Sequence, residues 1–140
     1  MNAAPHIPGQ TPRPAHGSIR PGLLEGLALY RSGFFWEAHE AWEPLWLEAT
    51  PNSRDRSFLQ GIIQLANGRL KLLMGKPQAA QRIAVLAREH LERAGGDRLL
   101  DQDPVWAMTE LTLLESGIRE NLHNNADFRP KPRTSVEKLD

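Results

Sequence analysis

The segment of residues 53–74 constrains the fold most, because its apolar residues occupy most of a helical circumference. A helix with one face in water needs apolar residues on the other face only, so this pattern predicts packing on several sides. Ser53 or Asn52 is a suitable N-cap, and Gly75 is a suitable stop. We therefore expect a central helix over 53–74 with Phe58, Leu59, Ile62, Ile63, Leu65, Ala66, Leu70, Leu72 and Leu73 in contact with its neighbours.

Helical spacing of apolar residues also dominates the sequence on both sides of this segment, and strand-like alternation is hard to find. Gly33 and the pair Gly95-Gly96 end helical stretches, while Pro77 and Pro104 stand where a first-turn proline is tolerated. The pattern predicts an all-α fold, a compact bundle of about five helices built from helical hairpins. The predicted helices cover residues 18 or 19 to 31, 34 to 48, 53 to 74 and 77 to 93, with a fifth that has Asp103 as N-cap.

Glycine and proline inside the predicted helices carry further information. Gly61 and Gly68 lie on one side of the central helix, so a neighbouring backbone can approach closely there. Pro44 has no amide proton to donate to the Glu40 carbonyl, and its ring crowds that carbonyl. We therefore expect a bend in the second helix.

The length of 140 residues fits one domain, since domains most often have about 100–150 residues. Residues 1–17 are rich in proline and are expected to form a flexible arm. Residues 124–140 contain a short run of basic residues and prolines and are expected to form a flexible basic tail. A single helical domain is then expected over 18–123.

Charge and cysteine content exclude several classes of function. Lys and Arg number 17 and Asp and Glu number 17, so the balance favours neither nucleic acid nor an anionic membrane as partner. The sequence contains no cysteine, so it has no disulfide framework and no thiol nucleophile. The sequence has no apolar run long enough to span a bilayer and no signal-peptide pattern, so we expect a cytoplasmic protein.

Residues 35–46 place carboxylates, an imidazole and three indoles on one predicted helix. Carboxylates resist burial beside aromatic rings unless they are paired, protonated or bound to a cation. On a helix His39, Glu40 and Glu43 project from neighbouring turns into a common region, with Glu37 one turn earlier. A polar stripe on the central helix supplies the expected facing donors, and these are Gln60, Gln64, Asn67 and Lys71. Three arginines are further candidates for pairing with the carboxylates, and these are Arg54, Arg56 and Arg69.

Several interpretations of this segment remain open. It can be a structural polar network between the second and third helices. It can hold a divalent metal ion such as manganese, magnesium or zinc on His39, Glu40 and Glu43, because histidine followed by carboxylates at helical spacing resembles zinc-type motifs. Metal-free catalysis would use His39 as general base. The indoles can line a groove for a peptide or helix, or form core and rim, and these indoles are Trp36, Trp42, Trp46 and Trp106.

The other four histidines have ordinary structural explanations. His6 and His16 fall in the expected arm. His90 and His123 lie near predicted helix ends, where interaction with the helix dipole is the ordinary explanation. We predict no site at these four positions.

The run from Gly33 to Trp46, together with residues 56–66, resembles domain-of-unknown-function family number 309. The shared motifs are an aromatic pair, E-A-H-E, an acidic residue and a tryptophan three apart, and F-L-Q-G followed by two hydrophobic residues and Q. The resemblance covers about residues 23 to 94 and implies a small all-helical protein without a settled activity. The residues that fall on the family motifs are Glu37, His39, Glu40, Glu43, Trp46, Gln60 and Gln64.

From this pattern we expect a binding module, for a small ligand or a partner protein, with a polar site between the second and third helices. The alternative is a metal-dependent hydrolase or related enzyme that uses His39, Glu40 and Glu43. A homodimer is also expected, because short helices with four tryptophans leave apolar surface to cover.

Overall fold

The computed structural model describes residues 4–12 and 22–127, with side chains described up to residue 124. Within these ranges the secondary structure consists of helices, apart from one isolated β-bridge between Leu99 and Gln102. The all-α prediction and the central position of the third helix are confirmed. The helices are α1 (Leu23–Arg31), α2 (Phe35–Glu48), α3 (Arg54–Leu73), α4 (Pro77–Ala94) and α5 (Val105–Asp127).

Helix ends follow the signals in the sequence. The Ser53 hydroxyl accepts the backbone N–H of Arg56 at 3.1 Å and caps α3. Pro77 is the first residue of α4, where its missing amide costs nothing. Gly33 and Gly75 have φ angles of 87° and 76°, which only glycine adopts readily, and they end α1 and α3.

The central helix α3 packs against α2, α4 and α5. Its two interior glycines make the close approaches predicted for them. A Cβ atom on Gly61 would lie 2.5 Å from Cδ2 of Leu91 in α4, and one on Gly68 would lie 2.7 Å from Cδ2 of Leu114 in α5. The missing side chains therefore set how near α4 and α5 come to α3.

The core lies where α3 meets the other helices. Trp106 of α5 and Phe58 of α3 form a T-shaped aromatic pair, with ring centroids 6.0 Å apart and ring planes at 89°. The largest fully buried side chains are Trp42, Phe58, Ile62, Leu65, Leu111 and Leu114.

Some boundaries differ from those expected. Helix α1 begins at Leu23, because the Glu25 carboxylate accepts the Gly22 amide at 3.0 Å and caps the helix there. The end of α2 at Glu48, with Pro44 inside the helix, agrees with the expected boundary. Helix α5 continues to Asp127, beyond the expected domain end at residue 123, and residues 128–140 of the expected tail lie outside the described residues.

No helix in the described ranges combines the length and the apolar character that crossing a bilayer requires.

Candidate functional site

Helix α2 carries most of the candidate residues and is fixed in rotation by Trp42. This indole is 0% exposed, and its Nε1 donates a hydrogen bond to the Leu23 carbonyl at 3.1 Å. The ring occupies the space that a side chain on Gly26 would need. Trp42 is therefore a core residue, and the other motif residues of α2 project at angles that its burial determines.

His39, Glu40 and Glu43 form one group on the surface of α2, which we call the His39 cluster. Nδ1 of His39 lies 3.4 Å from Glu40 Oε2, and Nε2 lies 3.9 Å from Glu43 Oε2. The side chains are 23%, 34% and 46% exposed, so water reaches all three. One ligand atom from each residue lies within 4.8 Å of the others. The group has the donor types of a divalent metal site.

The amides expected to face this cluster are Gln60, Gln64 and Asn67 of α3. Asn67 donates to the side-chain oxygen of Gln64 at 3.4 Å. Gln60 lines a separate groove beside Trp46. In the described part of the chain, no hydrogen bond joins Gln60 or Gln64 to the His39 cluster.

The three arginines proposed as partners of the α2 carboxylates also have other partners. Each donates its guanidinium to a group outside the His39 cluster. The acceptors are the Ala94 and Asp97 carbonyls for Arg54, the Ala49 carbonyl for Arg56, and the Tyr30 hydroxyl and Glu110 carboxylate for Arg69.

A groove lies between the C-terminal part of α2, the first turns of α3 and the C-terminal half of α4. We call it the Trp46 groove; its cavity volume is about 520 Å³. The guanidinium carbon of Arg56 lies over the Trp46 ring, 4.6 Å from its centroid. The lining residues are Trp46, Pro51, Asn52, Arg56, Ser57, Gln60, His90 and Arg93. Two arginines and a histidine thus meet residues from both sequence motifs.

The environment of His90 in the Trp46 groove shifts the pKa of its imidazole. Partial burial lowers the pKa of His90 from its ordinary value of 6.5, and the positive charge of Arg93 lowers it further, against a smaller opposing effect of Glu89. At neutral pH the imidazole is therefore neutral. A neutral ring can donate one hydrogen bond and accept another.

Glu37 and Trp36, at the start of α2, contact the N-terminal segment. The backbone N–H of His6 donates to Glu37 Oε2 at 2.9 Å. The His6 ring lies edge-on to Trp36, with the ring centroids 4.6 Å apart and the planes 79° apart. His6 is 6% exposed. The expected mobility of residues 1–17 stays a prediction, and these contacts of residues 4–12 were not anticipated.

His6, His90 and Arg93 are the candidate residues that the sequence did not indicate. For His90 and Arg93 a signal exists. Gly61 predicts close approach of a neighbouring helix, and this neighbour is α4 at Leu91, next to His90. Since Gln60 precedes Gly61, the same approach brings the motif glutamine to α4. No comparable signal marks His6.

One comparison with known proteins bears on these residues. The model of a family described as Domain of unknown function (DUF309) matches residues 23–83. This part of the chain is therefore similar to DUF309. The resemblance inferred from the motifs is therefore confirmed, over a range that ends earlier than expected. The DUF309 match contains the His39 cluster, Glu37, Trp46 and Gln60, and it ends before His90 and Arg93. Comparison with curated proteins and with solved structures finds no match.

Proposed function

We propose that this protein is a binding module for a small anionic ligand, and that the ligand site is the Trp46 groove. One observation carries the proposal: Arg56, His90 and Arg93 converge on one concave surface, and the described residues that line it include no carboxylate. The cavity volume of about 520 Å³ lies in the range typical of small-molecule sites.

The lining residues of the Trp46 groove would make different contacts with an anion. Arg93 is exposed and reaches the groove from α4, so it is the expected charge partner of an anion. Arg56 is held in place by the Trp46 ring and by the Ala49 carbonyl, which it contacts at 3.0 Å through Nη1. Gln60 and neutral His90 supply directional hydrogen bonds. A phosphate or carboxylate group fits this donor set.

The test is a titration of the full chain with inorganic phosphate, citrate and adenosine monophosphate, followed by heteronuclear NMR. We expect saturable shifts confined to amides of the groove. Arg93→Ala should weaken binding by about tenfold or more, because a hydrogen bond to a charged group contributes about 1.5–3 kcal/mol. Arg119→Ala removes an exposed arginine of α5 outside the groove and should leave binding unchanged. Equal weakening by both variants would indicate a general charge effect and refute the site.

A second candidate function is divalent metal binding by the His39 cluster, which would support the alternative of a metal-dependent enzyme. It is favoured by the mutual distances within 4.8 Å of one imidazole and two carboxylate ligand atoms. Metal analysis of untagged protein and thermal shifts with Mn²⁺, Mg²⁺ and Zn²⁺ test it. We expect Glu43→Gln to reduce the shift and Glu120→Gln, an exposed change on α5, to preserve it. A cytoplasmic location and a homodimer remain predictions.

A further inference from the structure

Residues 4–12 form a turn that presents His6 to helix α2. The amides of Gln10 and Thr11 donate to the Ile7 carbonyl at 2.9 and 3.0 Å, and Gly9 supplies the φ of 82° that the turn needs. The Thr11 hydroxyl oxygen accepts the Ile7 amide at 2.9 Å and lies 2.8 Å from His6 Nδ1. The turn therefore organises itself largely through its own hydrogen bonds.

Among the described residues, His6 and Gln10 supply the hydrogen bonds and the ring contact that attach this turn to the helices. His6 supplies the backbone hydrogen bond to Glu37 and the edge-on ring contact with Trp36. Gln10 Nε2 donates to the Leu73 carbonyl at 3.3 Å in an exposed position. An attachment of this size resembles a bound peptide more than a part of the core, because the buried anchor is a single side chain.

The Glu37 carboxylate can accept one more hydrogen bond than the N-terminal turn donates to it. Its Oε2 accepts the His6 amide, but Oε1 is buried and receives no hydrogen bond from any residue in the described ranges. A buried carboxylate oxygen without a donor is unfavourable, since it has lost water and gained nothing in exchange. A cationic donor placed there would recover this loss.

We propose that Trp36 and Glu37 form a peptide-docking surface, which residues 4–12 occupy in cis and a partner peptide with a ring and an adjacent arginine occupies in trans. The ring takes the place of His6 against Trp36. The guanidinium donates to Glu37 Oε1 while the peptide backbone keeps the bond to Oε2. Because residues 4–12 are attached to the same chain, they compete at high effective concentration and weaken binding of the partner.

The experiment measures fluorescence anisotropy of two labelled peptides with the full-length protein. The first peptide has the sequence of residues 4–12, and the second carries Pro5→Arg, which places a guanidinium beside His6. We expect His6→Ala protein to bind the first peptide at least about tenfold more tightly than the unmodified protein, because its own turn no longer competes. Thr11→Ala, which disrupts the turn but leaves Trp36 and Glu37 intact, should have the same direction of effect.

The second peptide should bind His6→Ala protein about tenfold more tightly than the first, since it adds a charge-assisted hydrogen bond. Combining His6→Ala with Glu37→Gln should abolish this preference, and combining it with Arg93→Ala should preserve it, because Arg93 lies in the Trp46 groove. Equal affinity of the unmodified, His6→Ala and Thr11→Ala proteins, equal affinity of the two peptides, or no detectable binding would each overturn the proposal.

Discussion

The guanidinium of Arg56 covers the indole of Trp46, with its carbon 4.6 Å from the ring centroid. The contact joins the end of α2 to the first turn of α3, and Arg56 Nη1 also donates to the Ala49 carbonyl at 3.0 Å. This arginine therefore closes the C-terminal end of α2, where backbone carbonyls have no helical partner. One residue thus supports both the helix pair and the wall of the Trp46 groove.

Replacing Arg56 by alanine should lower the free energy of unfolding by about 1–3 kcal/mol, because it removes a cation–π contact and a charged hydrogen bond. Urea denaturation followed by circular dichroism measures the change. Arg119→Ala, on the exposed face of α5, should change it by less than about 0.5 kcal/mol. If the two variants were equally stable, the Arg56 contacts would contribute nothing measurable.

Gly61→Ala should destabilise the protein by about 1–3 kcal/mol, because the added methyl group collides with Leu91 in a packed interface. The matched control is Gly96→Ala, where an added Cβ meets nothing within 4 Å. Thermal unfolding should show a clear loss for the first variant and little change for the second. A stable Gly61→Ala protein would mean that α3 and α4 separate easily, contrary to the packing described.

Tyr30 should ionise at unusually high pH. Burial raises the pKa of Tyr30 to about 12, although the hydrogen bond and charge of Arg69 act in the opposite direction. Because the sequence contains a single tyrosine, the absorbance of phenolate reports on this residue alone. We expect a midpoint near 12 in the folded protein and near the ordinary value of 10.0 in denaturant.

The same difference makes stability depend on pH. Between pH 10.0 and about 12 the unfolded chain loses the phenolic proton while the folded protein keeps it, so stability falls as pH rises through this window. Tyr30→Phe should remove this component of the alkaline loss. It should also cost about 1 kcal/mol at neutral pH, because Arg69 loses a hydrogen bond. An unchanged alkaline profile would contradict the assignment.

His90 should titrate below its ordinary pKa of 6.5. Since burial and then Arg93 lower the pKa of His90, Arg93→Ala should move the NMR titration midpoint upward, and Glu89→Gln should move it downward. The contribution to stability has the corresponding sign: it is present above the unfolded pKa and is lost as pH falls. A bound anion in the Trp46 groove should raise the midpoint. A midpoint insensitive to Arg93→Ala would place Arg93 too far away to act.

The sequence predicts the fold well because its signals are local. Ser53, Gly75 and Pro77 mark helix ends through their own backbone chemistry, and the apolar pattern of residues 53–74 identifies the central helix. The grouping of His39 with Glu43 follows from helical geometry alone. The Trp46 groove and the docking of His6 depend on contacts between residues far apart in the chain. A single sequence therefore could not place Gln60 beside His90 and Arg93, since periodicity specifies a face of a helix but not its partner.

The burial of Trp42 has a mechanical consequence for everything that α2 presents to solvent. Turning the helix about its axis would withdraw the indole from its slot beside Gly26 and break its bond to the Leu23 carbonyl. Such a withdrawal would cost about 3–5 kcal/mol, comparable to deleting a large core side chain. Because α2 keeps its orientation, ligands of the Trp46 groove, of the His39 cluster and of the surface formed by Trp36 and Glu37 should bind independently, without cooperativity between them.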